Sequence, residues 1–119
     1  MTLADAIRLG AMVKPQAFGI DDDEHGGTCA FAAALDAIGR PRMMFSAFVY
    51  AEHQWPWLRQ TAHCPRCEVV TDATALVLHL NDDHHWPREQ IADWVETIDP
   101  RVVEPSVARV GETVAQAKG

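Results

Sequence analysis

Apolar and polar positions alternate with a helical period in several stretches of the chain. In the first, Leu3, Ile7, Gly10 and Ala11 share one face through about residue 13, and Thr2 with Asp5 three positions on forms a capping arrangement. A short amphipathic helix is expected there. Pro15 and Gly19 end it, and the acidic run Asp21-Asp22-Asp23-Glu24 with Gly26-Gly27 has no means of burying itself, so residues 15–27 read as a solvated loop. The run lacks the alternating ligands and distal glutamate of a calcium loop, which leaves an exposed turn as the simpler reading. Thr28 then offers an N-cap, Phe31, Leu35 and Ile38 repeat at i, i+4, i+7 among alanines, and Gly39 with Pro41 supplies the stop. The small residues in this helix allow a neighbour to approach closely, which places it at the centre of the core.

From Met43 to Ala51 the chain is apolar enough to be buried, with helical spacing favoured over a strand, and Pro56 in Trp55-Pro56-Trp57-Leu58 halts any helix before Trp55. The indoles there read as a core plug under a loop. Asp72 is the next N-cap, and Ala73, Leu76, Val77 and Leu80 predict a helix to about Leu80, broken by Asn81-Asp82-Asp83. Pro87 at a first helical position and Glu89 in the first turn open the last strong helix, whose stripe is Ile91, Trp94, Val95 and Ile98 and whose end is Asp99-Pro100. The expected fold is mainly α, a single small helical domain over residues 1–100. Residues 101–119 form a tail that is either disordered, a short helix capped by Ser106 with Val107, Val110 and Val114, or a segment that folds against a partner.

The chemistry lies on either side of and within the helix of residues 73–80, in Cys64-Pro65-Arg66-Cys67 followed by His79 and His84, with His85 beside it. Two cysteines separated by two residues can present both sulfurs to one ion, and two histidines at this spacing complete a tetrahedron, so a zinc ion held by Cys64, Cys67, His79 and His84 is expected, with His85 as an alternative fourth ligand. A redox CxxC pair would open a helix in a βαβ setting, and no such alternation is visible. Four protein ligands leave no open position, so the zinc is expected to be structural and to staple the domain by holding the helix of residues 73–80 against that of residues 87–98.

Val70, Leu76 and His79 are spaced as in a C2H2 zinc finger, which this stretch resembles, although eleven residues separate Cys67 from His79 where that family usually has twelve. That difference leaves open whether the cysteines enter from a hairpin or from a loop. On a finger alignment Asp72, Ala75 and Leu78 would face DNA, and none is among the Arg, Asn and Gln side chains that read base edges. More broadly, the Ala6-Ile7-Arg8-Leu9-Gly10-Ala11-Met12 opening, the Cys29-Ala30 helix, the CPxC pair and the stretch from His79-Leu80-Asn81-Asp82 to Ala92-Asp93-Trp94 resemble a family of small bacterial and phage proteins of uncharacterised activity. The resemblance spans roughly residues 2–99 and implies one domain without implying an activity.

Composition narrows the function. Seventeen acidic against ten basic residues give a net charge of −7, with the cations scattered along the chain, and no Lys or Arg lies between Cys67 and Pro87, where Glu68, Asp72, Asp82 and Asp83 would meet phosphates. Nucleic acid is therefore disfavoured as a partner. Three cysteines, two of them in metal spacing, point to a reducing compartment, the cytoplasm, and no stretch reads as a signal peptide or membrane span. The expected role is non-enzymatic: a zinc-stabilised adaptor that binds another protein, as a phage-encoded modulator or a virion component. A DNA-binding transcriptional regulator is the alternative. An enzyme would need Cys29, expected to be a buried structural cysteine, to act with His25 or His53, and sequence alone leaves their proximity open.

Overall fold

A computed structural model describes residues 1–102, and the expected tail lies outside the described residues from residue 103 on. Helices dominate: α1 Leu3–Ala11, α2 Ala30–Ala37, α3 Ala47–Gln54, a 3-10 turn at Pro56–Arg59, the antiparallel strands β1 Thr61–His63 and β2 Val70–Asp72, then α4 Ala73–Asp82 and α5 Arg88–Ile98. Helix α1 starts as its capping pattern implies, with Thr2 Oγ1 accepting from the Asp5 amide at 3.2 Å. It crosses α2 very closely. Gly10 faces Ala33 so tightly that a β-carbon would overlap the Ala33 carbonyl, and α2 buries Ala30, Ala32, Ala33 and Ala34 along with Phe31 and Leu35. Dispersion across so short a separation holds the two helices together. One continuous core gathers residues from every helix, with Trp55 fully buried and its indole N–H satisfied by the Met1 carbonyl at 3.2 Å.

Several expectations are corrected. Cys29, not Thr28, caps α2: its Sγ accepts from the Ala32 amide at 3.4 Å, while Thr28 is extended and bridges to Gln16 and Asp22. The acidic run is not a free loop, because each aspartate has a separate partner. Asp21 caps α3 by accepting from the Ala47 amide (2.8 Å), Asp22 pairs with Arg42 (2.6 Å), and Asp23 Oδ1 accepts from the amides of His25 and Gly27 to close its own turn. The apolar run from Met43 is helical only from Ala47. Met43, Met44 and Phe45 are exposed, the two methionine amides being held by the Tyr50 hydroxyl at 3.3 and 3.1 Å.

Helix α4 also runs further than expected, through Asn81 and Asp82. Asn81 is fully buried. Its Oδ1 accepts from Gln16 Nε2 (2.9 Å) and the Ala30 amide (3.2 Å), and its Nδ2 donates to the Ala17 carbonyl (2.9 Å), so a residue read as a helix breaker joins α4 to α2 and to the segment before it. Pro87 is the extended cap of α5 and not its first residue. The buried face of α5 is Arg88, Ile91, Ala92 and Val95, with Trp94 only half-buried. The Arg88 guanidinium donates to Thr28 and to the Lys14 carbonyl, and burial pulls its pKa below the usual arginine value. Finally, α5 packs chiefly on α1 and only lightly on α4. Arg8 of α1 reaches Glu96 and Asp93 of α5, each at 2.7 Å, and thereby holds the Glu96 carboxyl below its usual range. No helix among the described residues is long and apolar enough to cross a membrane.

Candidate metal centre

The four expected donors meet. Cys64 follows β1 directly, Cys67 lies in the turn between the strands, His79 sits in the last turns of α4 and His84 just beyond its C-cap, Asp83. One donor atom from each of these residues lies within 4.8 Å of the others. A tetrahedral zinc ion holds its sulfur and nitrogen donors about 3.3–3.8 Å apart, and Cys67 Sγ is already 3.3 Å from His79 Nε2.

Local structure explains the convergence. The hairpin pairs Thr61 with Asp72, Ala62 with Thr71 and His63 with Val70, and the Cys64 amide donates to the Val69 carbonyl at 2.9 Å, so the chain turns back within the CPRC stretch. Inside that turn the Arg66 amide donates to Cys64 Sγ at 3.4 Å, which fixes the direction of the sulfur. Asp72 then ends β2 and caps α4, accepting from the Ala75 amide at 2.8 Å, which sets the helix directly against the hairpin. The turn between the strands answers the question left by the short spacing: the cysteines enter from a hairpin.

At the far end of α4, the amides of Asp83 and His84 both return to the His79 carbonyl, at 2.9 and 3.1 Å, and fold the His84 ring onto His79 with centroids 4.6 Å apart. His79 Nδ1 lies 2.8 Å from Asp83 Oδ2, which orients its Nε2 toward the cysteines, the arrangement by which a carboxylate fixes the tautomer of a ligating imidazole. His84 Nε2 is buried and has no hydrogen-bond partner among the described residues. A buried imidazole nitrogen left alone is costly, and an ion placed among the four donors would satisfy it. The donor set fits a metal ion on all three counts: convergence, orientation and an orphaned nitrogen.

His85 does not join them. It adopts φ 53°, stacks on Phe18 with centroids 4.4 Å apart, and lets the Trp86 amide return to the Leu80 carbonyl at 2.9 Å. Its place in the fold is chain reversal after α4. His53 and His63 are exposed, as are the imidazole of His25 and its neighbour Glu24. Cys29 is buried, and desolvation pushes its thiol up to about 11. Its Sγ accepts from the Ala32 amide and lies 3.9 Å from Asp21, and neither His25 nor His53 is among its hydrogen-bond partners. The candidate nucleophile is therefore embedded as a helix cap.

The residues missed in sequence are Gln16, Asn81 and Arg88, which fasten the segment between α1 and α2 to the junction of α4 and α5, beside His84. A signal for two of them existed. Asn81 continues the Val77 stripe at i+4, and Arg88 precedes Ile91 by three, so both fall on buried faces. The chain matches no protein-family model, no curated protein and no solved structure at a significant level.

Proposed function

We propose that Cys64, Cys67, His79 and His84 bind one structural zinc ion, and that the protein is a non-enzymatic, zinc-stabilised module for protein–protein interaction. The observation that carries the reading is the convergence of two sulfurs and two imidazoles within 4.8 Å, with His84 Nε2 buried and unpartnered. Mixed thiolate and imidazole donors in a tetrahedral set favour zinc over the oxygen-seeking cations. Four protein donors leave no coordination position for water, so the ion's contribution is to folding and not to catalysis. The role we infer is that of a phage-encoded modulator in the host cytoplasm or of a component of the virion.

The order hairpin, then helix bearing His79, is also that of a C2H2 finger, and this favours DNA binding as the second reading. Its surface opposes that use, since residues 68–87 carry four carboxylates and no Lys or Arg. Purified protein is expected to contain one equivalent of zinc, and Cys64→Ala protein none, by elemental analysis. In the same preparation a gel shift with duplex DNA at low salt is expected to show no complex, while a stoichiometric protein partner co-purifies from the native host. Metal-free native protein that melts at the same temperature as the zinc-treated sample would contradict the first half of the proposal, and DNA binding that survives moderate salt would replace the second.

A further inference from the structure

The face of α4 that a zinc finger would turn to DNA carries a different chemistry here. Leu78 and Asp82 each line two shallow troughs, one of about 350 Å³ beside the candidate metal centre and one of about 170 Å³ toward the start of α3. Val69 is on the first, and Ile20 and Phe48 are on the second. Three of these apolar side chains are open to solvent, Ile20 at 57%, Val69 at 40% and Phe48 at 37%. Exposed singly they would need no account, but here they border a pair of neighbouring troughs that share Leu78 and Asp82.

The charges around them are all of one sign. Asp21, Asp82 and Asp83 line the troughs, and no lining residue is Lys or Arg. Other acids on the molecule are matched, since Asp5, Asp93 and Glu96 surround Arg8, Asp22 and Asp36 pair with Arg42, and Asp36 also takes Lys14, while Asp23, Glu68, Asp72, Glu89 and Asp99 share with this face the lack of a Lys or Arg partner among the described residues. Asp21 and Asp82 take only backbone amides, the Cys29 thiol and the Asn81 amide group, and Asp83 takes His79, so among the described residues none of the three is neutralised by a Lys or Arg. The metal does not offset them, because a divalent ion with two thiolates and two neutral imidazoles adds no net charge. Apolar floor and unneutralised acidic rim together define what fits.

We propose that this face of α4 is the docking surface for a basic amphipathic segment of a partner protein, apolar on the side that meets Leu78, Ile20 and Phe48 and carrying Lys or Arg toward Asp21, Asp82 and Asp83. The inference rests on the interaction role proposed above and names its surface and its partner chemistry. Burial of the apolar side chains supplies affinity, and the acidic rim supplies orientation and rejection of acidic segments.

Two synthetic amphipathic peptides with identical leucines test it, one with lysines and one with glutamates on the polar face. Each is titrated into the zinc-loaded full chain while backbone amide shifts are followed by NMR. The lysine peptide is expected to bind, to shift Ile20, Phe48, Val69 and Leu78, and to weaken as salt rises, whereas the glutamate peptide does not bind. The Ile20→Ser/Phe48→Ser double variant, and independently Val69→Ser, are expected to weaken binding about tenfold, roughly the loss of one good apolar anchor. Both change exposed side chains, and zinc content with far-ultraviolet circular dichroism checks that each remains folded. The proposal is overturned if the lysine peptide does not bind, if its shifts centre on the exposed methionines Met12, Met43 and Met44, or if these variants bind as the parent does. A natural partner that still binds the double variant would overturn this surface alone and leave the interaction role standing, and the zinc content of the same samples reports on the metal separately.

Discussion

His84 and His85 are identical side chains one residue apart, and the backbone separates their roles. His84 follows the α4 cap with its amide folded back on His79, while His85 takes the left-handed conformation that reverses the chain. For a residue with a β-carbon that conformation costs about 1–2 kcal/mol, so the position is one that glycine would fill with less strain. His84→Ala is expected to abolish stoichiometric zinc binding, whereas His85→Gly keeps one equivalent of zinc and a melting temperature no lower than the parent's beyond what the lost Phe18 contact removes. Elemental analysis and thermal denaturation of the two variants decide between the ligands. The convergence of the four donors was legible in sequence because CxxC and the paired histidines carry their own spacing. The choice between His84 and His85 was not, since it depends on a single φ angle. Asn81 shows the opposite failure: its residue type suggested a break, but its helical phase with Val77 placed it inside, and the three hydrogen bonds it makes there to Gln16, Ala30 and Ala17 come from segments more than fifty positions away in the chain.

Among the elements, those with a strong period and a stop signal were readable and those set by distant partners were not. Helices α1, α2 and α5 follow their apolar stripes closely. The start of α3 did not follow the apolar run, because its cap is a carboxylate twenty-six positions earlier, Asp21, and not a neighbouring side chain. The strands are only three residues each, too short for alternation to show, and the hairpin exists because the cysteine turn brings them together. The crossing of α1 and α2 makes the sharpest prediction at this scale. A β-carbon at position 10 meets the Ala33 carbonyl oxygen and carbonyl carbon, backbone atoms that no rotamer change can move aside. Gly10→Ala would gain helix propensity in isolation, yet overpacking against a fixed backbone costs up to about 3 kcal/mol. The expected result is a melting temperature lower by roughly 10–20 °C. An equal or higher value would mean that the two helices separate without loss.

At the scale of the whole molecule, the candidate metal site ties the hairpin to α4. Sequence spacing suggested a clasp between α4 and α5, but α5 is held mainly by α1, through its buried stripe and the Arg8 pairs, and the four donors join the hairpin to the end of α4. The hairpin has little else to hold it. It buries Ala62 and Cys64 while Thr61, His63, Val69 and Val70 remain exposed, and an isolated two-stranded hairpin is marginal in water. By contrast α1 and α2 bury Leu3, Ile7, Phe31 and Leu35 completely, and burying each such side chain contributes about 1.5–3 kcal/mol. Removing zinc should therefore act unevenly. After chelation, native-state hydrogen exchange is expected to show protection lost first across residues 61–72 and in the turn from His79 to His84, where the four donors are no longer tied to one ion. The amides of α1 and α2 should keep most of their protection until global unfolding, because their opening is governed by the core and not by the ion. Uniform loss across all five helices would instead make the metal a condition for the entire fold, as it is for an isolated zinc finger. Unchanged protection of residues 61–72 would mean that the hairpin stands without the ion and that the four donors converge for some other reason.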